Sequence, residues 1–136
     1  RLVGLGGENL ELKQDFEVSG VPRSNRPIPT GHLVVNGEEL SASTPHFENL
    51  YSFPNSPQKT AELPYRENNY FGHALLEGLS MGREFKVHPN HYFVMGDNTM
   101  NSSDSRYWGD FQQEKVMGKS FFVYWPISKR FGLGYK

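Results

Sequence analysis

The 136 residues carry 14 Lys and Arg against 15 Asp and Glu, for a formal charge of −1, and include no Cys. That balance gives no field of one sign to draw the chain onto nucleic acid or anionic lipid, and the lack of Cys excludes a disulfide framework or a thiolate metal cluster. The length suits one domain, 1–136, with a hydrophobic core, and 14 Gly, 9 Pro, 10 Phe, 7 Tyr and 2 Trp favour short strands joined by tight turns. A mainly β protein is expected.

No run approaches the roughly 20 apolar residues of a membrane helix, and no leader-like segment opens the chain. The chain starts at Arg1, and RLVGLGGENLELK reads at once as strand, turn and strand, so an internal fragment of a longer protein is expected. Leu2 to Leu5 is apolar, Gly6-Gly7 supplies a turn, and Leu10 and Leu12 alternate with polar residues, which together predict an opening β-hairpin. GVPRSNRPIPTG, 20–31, has three Pro and predicts a loop or irregular edge. HLVVNGEEL, 32–40, predicts a two-stranded ribbon around Asn36-Gly37.

From Ser41 to Arg83 the pattern is lost among Pro45, Pro54, Pro57 and Pro64, and this stretch is expected to be an inserted surface excursion. Within it, Phe71 to Met81 predicts one short helix carrying Ala74, Leu75 and Leu79. Two strands follow, Glu84 to Met95, interrupted at Pro89-Asn90, and Val116 to Trp125.

The chemistry concentrates after His91 to Met95, an apolar strand that ends in Gly96-Asp97-Asn98. Asn101, Ser102, Ser103, Asp104, Ser105 and Arg106 follow, more short hydrogen-bonding groups than a plain turn requires, and Tyr107-Trp108 anchor the stretch. On residue types alone this is a turn whose Asx and Ser side chains satisfy their own backbone, with Asp104 and Arg106 as a local ion pair.

The full string says more. MGDN, then Asn101-Ser102, then DSRYWG at 104–109, with Gly118-Lys119 opening a strand that ends in Trp125-Pro126, resembles the last motif of the type I signal peptidases. These are Ser/Lys proteases that release secretory leader peptides. RLVGLGGE resembles the family motif that follows its general-base lysine, VVNGEEL its Asn-Gly hairpin, and Val87 to Phe93 its Val-Pro-x-Gly-x-Tyr/Phe-Phe strand. The chain departs from the family at Thr99-Met100, where Arg-Asp is usual, at Gly6, where Pro is, and at Pro89-Asn90-His91, where Pro-x-Gly is.

The resemblance implies a signal-peptidase or LexA-like fold of coiled antiparallel sheets and hairpins with an irregular insertion at 41–83, as the C-terminal portion of an extracytoplasmic catalytic domain. It implies a serine endopeptidase that removes signal peptides after Ala-x-Ala-type sites. The nucleophilic serine and the base lysine both belong upstream of Arg1, so this chain alone lacks the dyad and is expected to be inactive. By the same resemblance Ser102 orients the missing lysine, and Asp97 pairs with Arg1. Asp104 and Arg106 support the loop, while Leu2 and Ser103 border the substrate groove. The implied partners are signal peptides of secretory pre-proteins and a bacterial cytoplasmic membrane, reached through an upstream anchor, with the catalytic domain on its outer, periplasmic side. No cofactor, metal or nucleic acid is implied.

Other motifs carry less. Gly78-Leu79-Ser80-Met81-Gly82 matches a nucleophile elbow, but no His follows any downstream Asp to complete a triad. His88 and His91 read as surface histidines, since no carboxylate or Cys is near them in sequence. Asn101-Ser102-Ser103 is a sequon of low specificity. Phe121, Phe122, Tyr124 and Trp125 read as an apolar core or membrane-proximal strand with no basic residues interleaved. Two rivals stay open: a related Ser/Lys protease, such as a self-cleaving repressor or a pilin-processing relative, against which DSRYWG argues, and a non-catalytic β module that binds extended peptides.

Overall fold

A computed structural model of the protein describes residues 1–48, 50–51, 62–64, 72–75, 84–118, 122–123 and 132–133, with backbone pairing alone at 62–64, 122–123 and 132–133. The elements are β1 (Leu2–Leu5), β2 (Asn9–Ser19), β3 (Ile28–Val35), β4 (Glu38–Glu39), β5 (Glu62–Pro64), β6 (His73–Ala74), β7 (Phe85–Lys86) and β8 (His91–Val94). A one-turn helix α1 (Ser105–Trp108), β9 (Phe111–Gln112), a 3-10 turn (Gln113–Lys115), β10 (Phe122–Val123) and β11 (Gly132–Leu133) complete the order. The architecture is mainly β.

The larger sheet is built on the long β2–β3 pair, in the order β4-β3-β2-β5, with β6 also paired to β3 and β7 to β2. All its pairings are antiparallel except β2 with β5. The smaller sheet runs β1-β8-β9, and β10 pairs with β11 separately. Asn36 and Gly37 both take positive φ, 51° and 86°, the backbone of a two-residue hairpin turn matched to strand twist, and they join β3 to β4.

The opening hairpin does not form. β1 pairs with β8, Leu2 opposite Val94 and Leu5 opposite Tyr92, while β2 belongs to the other sheet. The reason lies in burial: Val3 from β1 and Leu10 and Leu12 from β2 share one core with Leu33, Val87, Phe93 and Met95. Two apolar strands in separate sheets can each turn a face to the same core. The turn between them is stitched instead to residue 87, with Gly7 N–H donating to the Val87 carbonyl and Val87 N–H to the Glu8 carbonyl, both at 2.9 Å.

The expected helix over 71–81 is also corrected where it is described, because His73–Ala74 is a strand with Ala74 opposite Thr30 and His73 opposite Gly31. Leu75 N–H donates to the Pro29 carbonyl at 2.7 Å. His73, Ala74 and Leu75 are all buried, and three consecutive residues cannot share the single apolar face of a surface helix. The described parts of 41–83 are likewise not all surface, since Leu50 and Tyr51 are buried too. Residues 52–61, 65–71 and 76–83, with the Gly78–Gly82 motif and Leu79, lie outside the described residues.

The loop expected over 20–31 ends earlier, because β3 begins at Ile28 and runs through Pro29. Glu84 to Met95 resolves into β7 and β8 with a break around Pro89-Asn90, where Asn90 has φ 60°. Val116 to Gly118 is not strand, and pairing resumes at Phe122–Val123. Residues 119–121 and 124–131 lie outside the described residues.

Candidate active site

The site grows from the end of β8. Met95 N–H donates to the Arg1 carbonyl at 2.9 Å, which extends the β1–β8 ladder by one step and delivers Gly96 and Asp97 beside Arg1. The Arg1 guanidinium meets Asp97 with two donors, Nε to Oδ1 at 2.6 Å and Nη2 to Oδ2 at 3.0 Å. This fork matches the plane of a carboxylate and defines an orientation as well as a distance. Nη1 donates to the His46 carbonyl, and the guanidinium carbon lies 5.5 Å from the centre of the Phe47 ring, within cation–π range.

Beyond Asp97 the chain folds back on itself. Asp104 caps α1 by accepting from Arg106 N–H at 3.2 Å, and also accepts from Gly96 N–H at 2.9 Å. Arg106 Nε and Nη2 complete the set at 2.8 Å each. The Arg106 side chain is fully buried and that of Asp104 nearly so, so each charge depends on the other for its solvation. Burial pushes the Asp104 carboxyl up, but Arg106 and the Gly96 N–H outweigh it and hold the carboxyl at about 2, below the ordinary 3.8. The remaining Arg106 donors reach the carbonyls of Ala74 at 2.8 Å and Thr99 at 2.9 Å. Ser105 Oγ accepts from Val94 N–H at 3.0 Å and ties α1 to β8.

Ser102 sits inside this frame. Its Cβ lies 2.8 Å from where a Cβ on Gly96 would be, and Asp104 Oδ2 lies 3.8 Å from the same point. Only glycine at 96 lets the serine come this close. Arg1, Asp97, Ser102, Asp104 and Arg106 are thus brought together around one strand end. Ser103 is exposed, and its carbonyl faces Trp108 Nε1 at 3.5 Å.

Among the described residues β1 has one neighbour, β8, and none of them pairs with its other edge. Beside that edge runs a groove of about 610 Å³ lined by Leu2, Leu5, Val35, Leu40 and Phe47 among others. Leu2 is about half exposed on it, while Ser103 is not part of its lining.

The sequence reading missed Thr99 and His73. Thr99 is 4% exposed and hydrogen-bonded to the 72–75 segment; its only signal was a departure from a charged pattern. His73 is 1% exposed, and neither ring nitrogen has a partner among the described residues. Desolvation, helped by the Arg106 charge, pulls its pKa down from 6.5 to about 3. The carboxylate that sequence did not place near His88 is Asp110, 3.0 Å from His88 Nδ1. No group of three or more His, Asp or Glu suited to a metal ion occurs among the described residues.

Fold and site define a mainly β protein in which a clamped, serine-bearing loop is carried by β8, the strand paired with β1. The family model described as "Signal peptidase, peptidase S26" matches residues 1–125, and the chain belongs to that family. It is similar to the signal peptidase I of Buchnera aphidicola subsp. Baizongia pistaciae, 47% identical over 158 residues that cover 97% of this chain and 51% of the relative. The signal peptidase I of Pseudomonas fluorescens is 32% identical over 95% of this chain and 44% of its own length. A solved signal peptidase I from Enterococcus faecalis V583 aligns over 87% of this chain and 77% of that one, with 29% identity and a TM-score of 0.43. The chain spans about half the length of the curated relatives that it matches along most of its own length.

Proposed function

We propose that this chain is the C-terminal part of the catalytic domain of a signal peptidase I, a serine endopeptidase that removes signal peptides after Ala-x-Ala-type sites. The observation that carries the reading is a register. With Leu2 opposite Val94 and the Arg1 carbonyl bonded to Met95 N–H, a residue preceding Arg1 would lie opposite Gly96, against which Ser102 is packed. By family resemblance that residue is the base lysine, and the nucleophilic serine lies further upstream.

The chemistry then follows from the site. A lysine can take the proton of a serine hydroxyl only while neutral, and desolvation is what lowers its pKa. By the same resemblance the Ser102 hydroxyl oxygen accepts from the lysine N–H. The amine is turned so that its own lone pair faces the nucleophile, and no charge is added to raise its pKa. Arg1 and Asp97 fix the strand that bears the base, and Asp104 with Arg106 fixes Ser102.

Substrate enters as an extended segment added along the edge of β1 away from β8, a mode in which main-chain hydrogen bonds give affinity and side-chain pockets give selectivity. Leu2 borders that path. The partners are signal peptides of secreted pre-proteins and a bacterial cytoplasmic membrane, with the catalytic domain on its outer face and the anchor in the longer protein. The chemistry needs no cofactor or metal.

The test compares cleavage of an Ala-x-Ala leader peptide in detergent by this chain and by the full-length protein. Activity confined to the longer form, and lost in its Ser102→Ala variant, supports the reading. Cleavage by the short chain would put the nucleophile within 1–136 and overturn the assignment, and inactivity of both would favour the peptide-binding module.

A further inference from the structure

Strand β6 leaves one backbone edge facing the Ser102 loop, and two side chains of that loop occupy it. Ala74 N–H donates to Thr99 Oγ1 at 3.2 Å, and the same hydroxyl donates to the Gly72 carbonyl at 3.0 Å. Arg106 Nη1 donates to the Ala74 carbonyl at 2.8 Å while Nη2 holds the Thr99 carbonyl at 2.9 Å. On the opposite edge Leu75 N–H goes to Pro29. Thr99 therefore takes the place of a neighbouring strand, with one hydroxyl acting as both acceptor and donor to two backbone groups of a buried edge.

The next residue points the same way. Met100 packs against the separate apolar cluster of Phe16, Val18 and Val21, so Thr99-Met100 anchors the loop to the large sheet by one polar and one apolar contact. These are the two positions at which the chain departs from the family's Arg-Asp.

We infer that Thr99 is a positioning residue for the reaction: by docking the loop on β6 it sets where Ser102 stands relative to β1 and to the base that β1 follows. The inference rests on the signal peptidase reading above. Replacing the hydroxyl by a methyl keeps the volume but strands Ala74 N–H and the Gly72 carbonyl, both buried, and unpaired groups of that kind are costly enough to undock a loop.

The experiment uses the full-length protein and its Thr99→Val and Thr99→Ser variants. It reads kcat and KM per folded molecule on an Ala-x-Ala leader peptide, together with amide hydrogen exchange. In Thr99→Val, kcat falls about tenfold or more while KM stays within about twofold, because the β1 edge that binds substrate is untouched. Gly96 and Arg106 amides exchange faster, Leu12 and Leu33 amides do not, and Thr99→Ser restores both readouts. If Thr99→Val does not fold, Thr99→Ala removes the same hydroxyl with less bulk and is read in its place. Unchanged kcat per folded molecule, unchanged exchange at Gly96, or a Ser variant as impaired as the Val variant would overturn the inference. Failure of the unmodified protein to cleave at all would overturn the reading of function instead, and the exchange data then decide the docking alone.

Discussion

Arg1 and Asp97, 96 positions apart in the chain, meet through a two-point fork of 2.6 and 3.0 Å. Both side chains keep substantial solvent contact, 28% and 44%, so the pair contributes little to stability, about 1 kcal/mol or less. Its value is geometric. Arg1→Lys keeps the charge but loses the planar fork, and is expected to lower kcat of the full-length protein about tenfold with almost no change in Tm. Steady-state cleavage beside a thermal melt checks this, and a Lys variant that cleaves like the parent would show that charge alone suffices.

The Asp104–Arg106 pair should behave in the opposite way. Its groups are buried and make three hydrogen bonds, to Gly96, Ala74 and Thr99, besides their own, so Asp104→Ala leaves a guanidinium without a counter-charge in the interior. A loss of about 3–5 kcal/mol is expected in urea unfolding. Asp104→Leu combined with Arg106→Met removes both charges and should recover part of that stability without recovering activity. A double variant less stable than Asp104→Ala would count against the account.

Acid sensitivity should trace to His73 before Asp104. An unfolded chain protonates this imidazole near 6.5, whereas the folded one resists until about 3, so between those values the unfolded state binds more protons. The stability contribution is complete above pH 6.5 and is lost as pH falls toward 3, with a slope of up to about 1.4 kcal/mol per pH unit. Asp104, lowered from 3.8 to about 2, adds a second loss that begins below 3.8. His73→Leu should flatten the stability profile between pH 6 and 4 and leave the lower limb intact; an unchanged slope in that range would remove His73 from the explanation.

Gly96→Ala tests the close approach of Ser102. The added methyl would lie 2.8 Å from Ser102 Cβ and closer still to Oγ, so the serine must move or the loop must open. Overpacking of this kind costs about 1–3 kcal/mol, and a displaced Ser102 should lower kcat about tenfold or more. Cleavage assays of the full-length variant, with folding checked by circular dichroism, would expose a tolerant site if kcat did not change.

What the sequence determined by itself is whatever rests on local chemistry or on an unbroken string. Asn36-Gly37 announced its hairpin because the residues that tolerate positive φ are also the turn. Strand content followed from composition, and membership of the family from Met95 to Gly109 with the motif at Arg1. The tertiary structure alone decided the non-local pairings. Strand β1 pairs with β8 and not with its sequence neighbour, and Val3 and Leu10 reach one core from two different sheets, a fact that period and turn residues at 1–12 do not encode. His73 and Ala74 sit in a strand because β3 offered a ladder and the interior offered burial, which overrode a weak helical pattern. Thr99 looked like a lost charge in the sequence; its hydroxyl acquires a role only where the fold brings the edge of β6 within hydrogen-bonding reach.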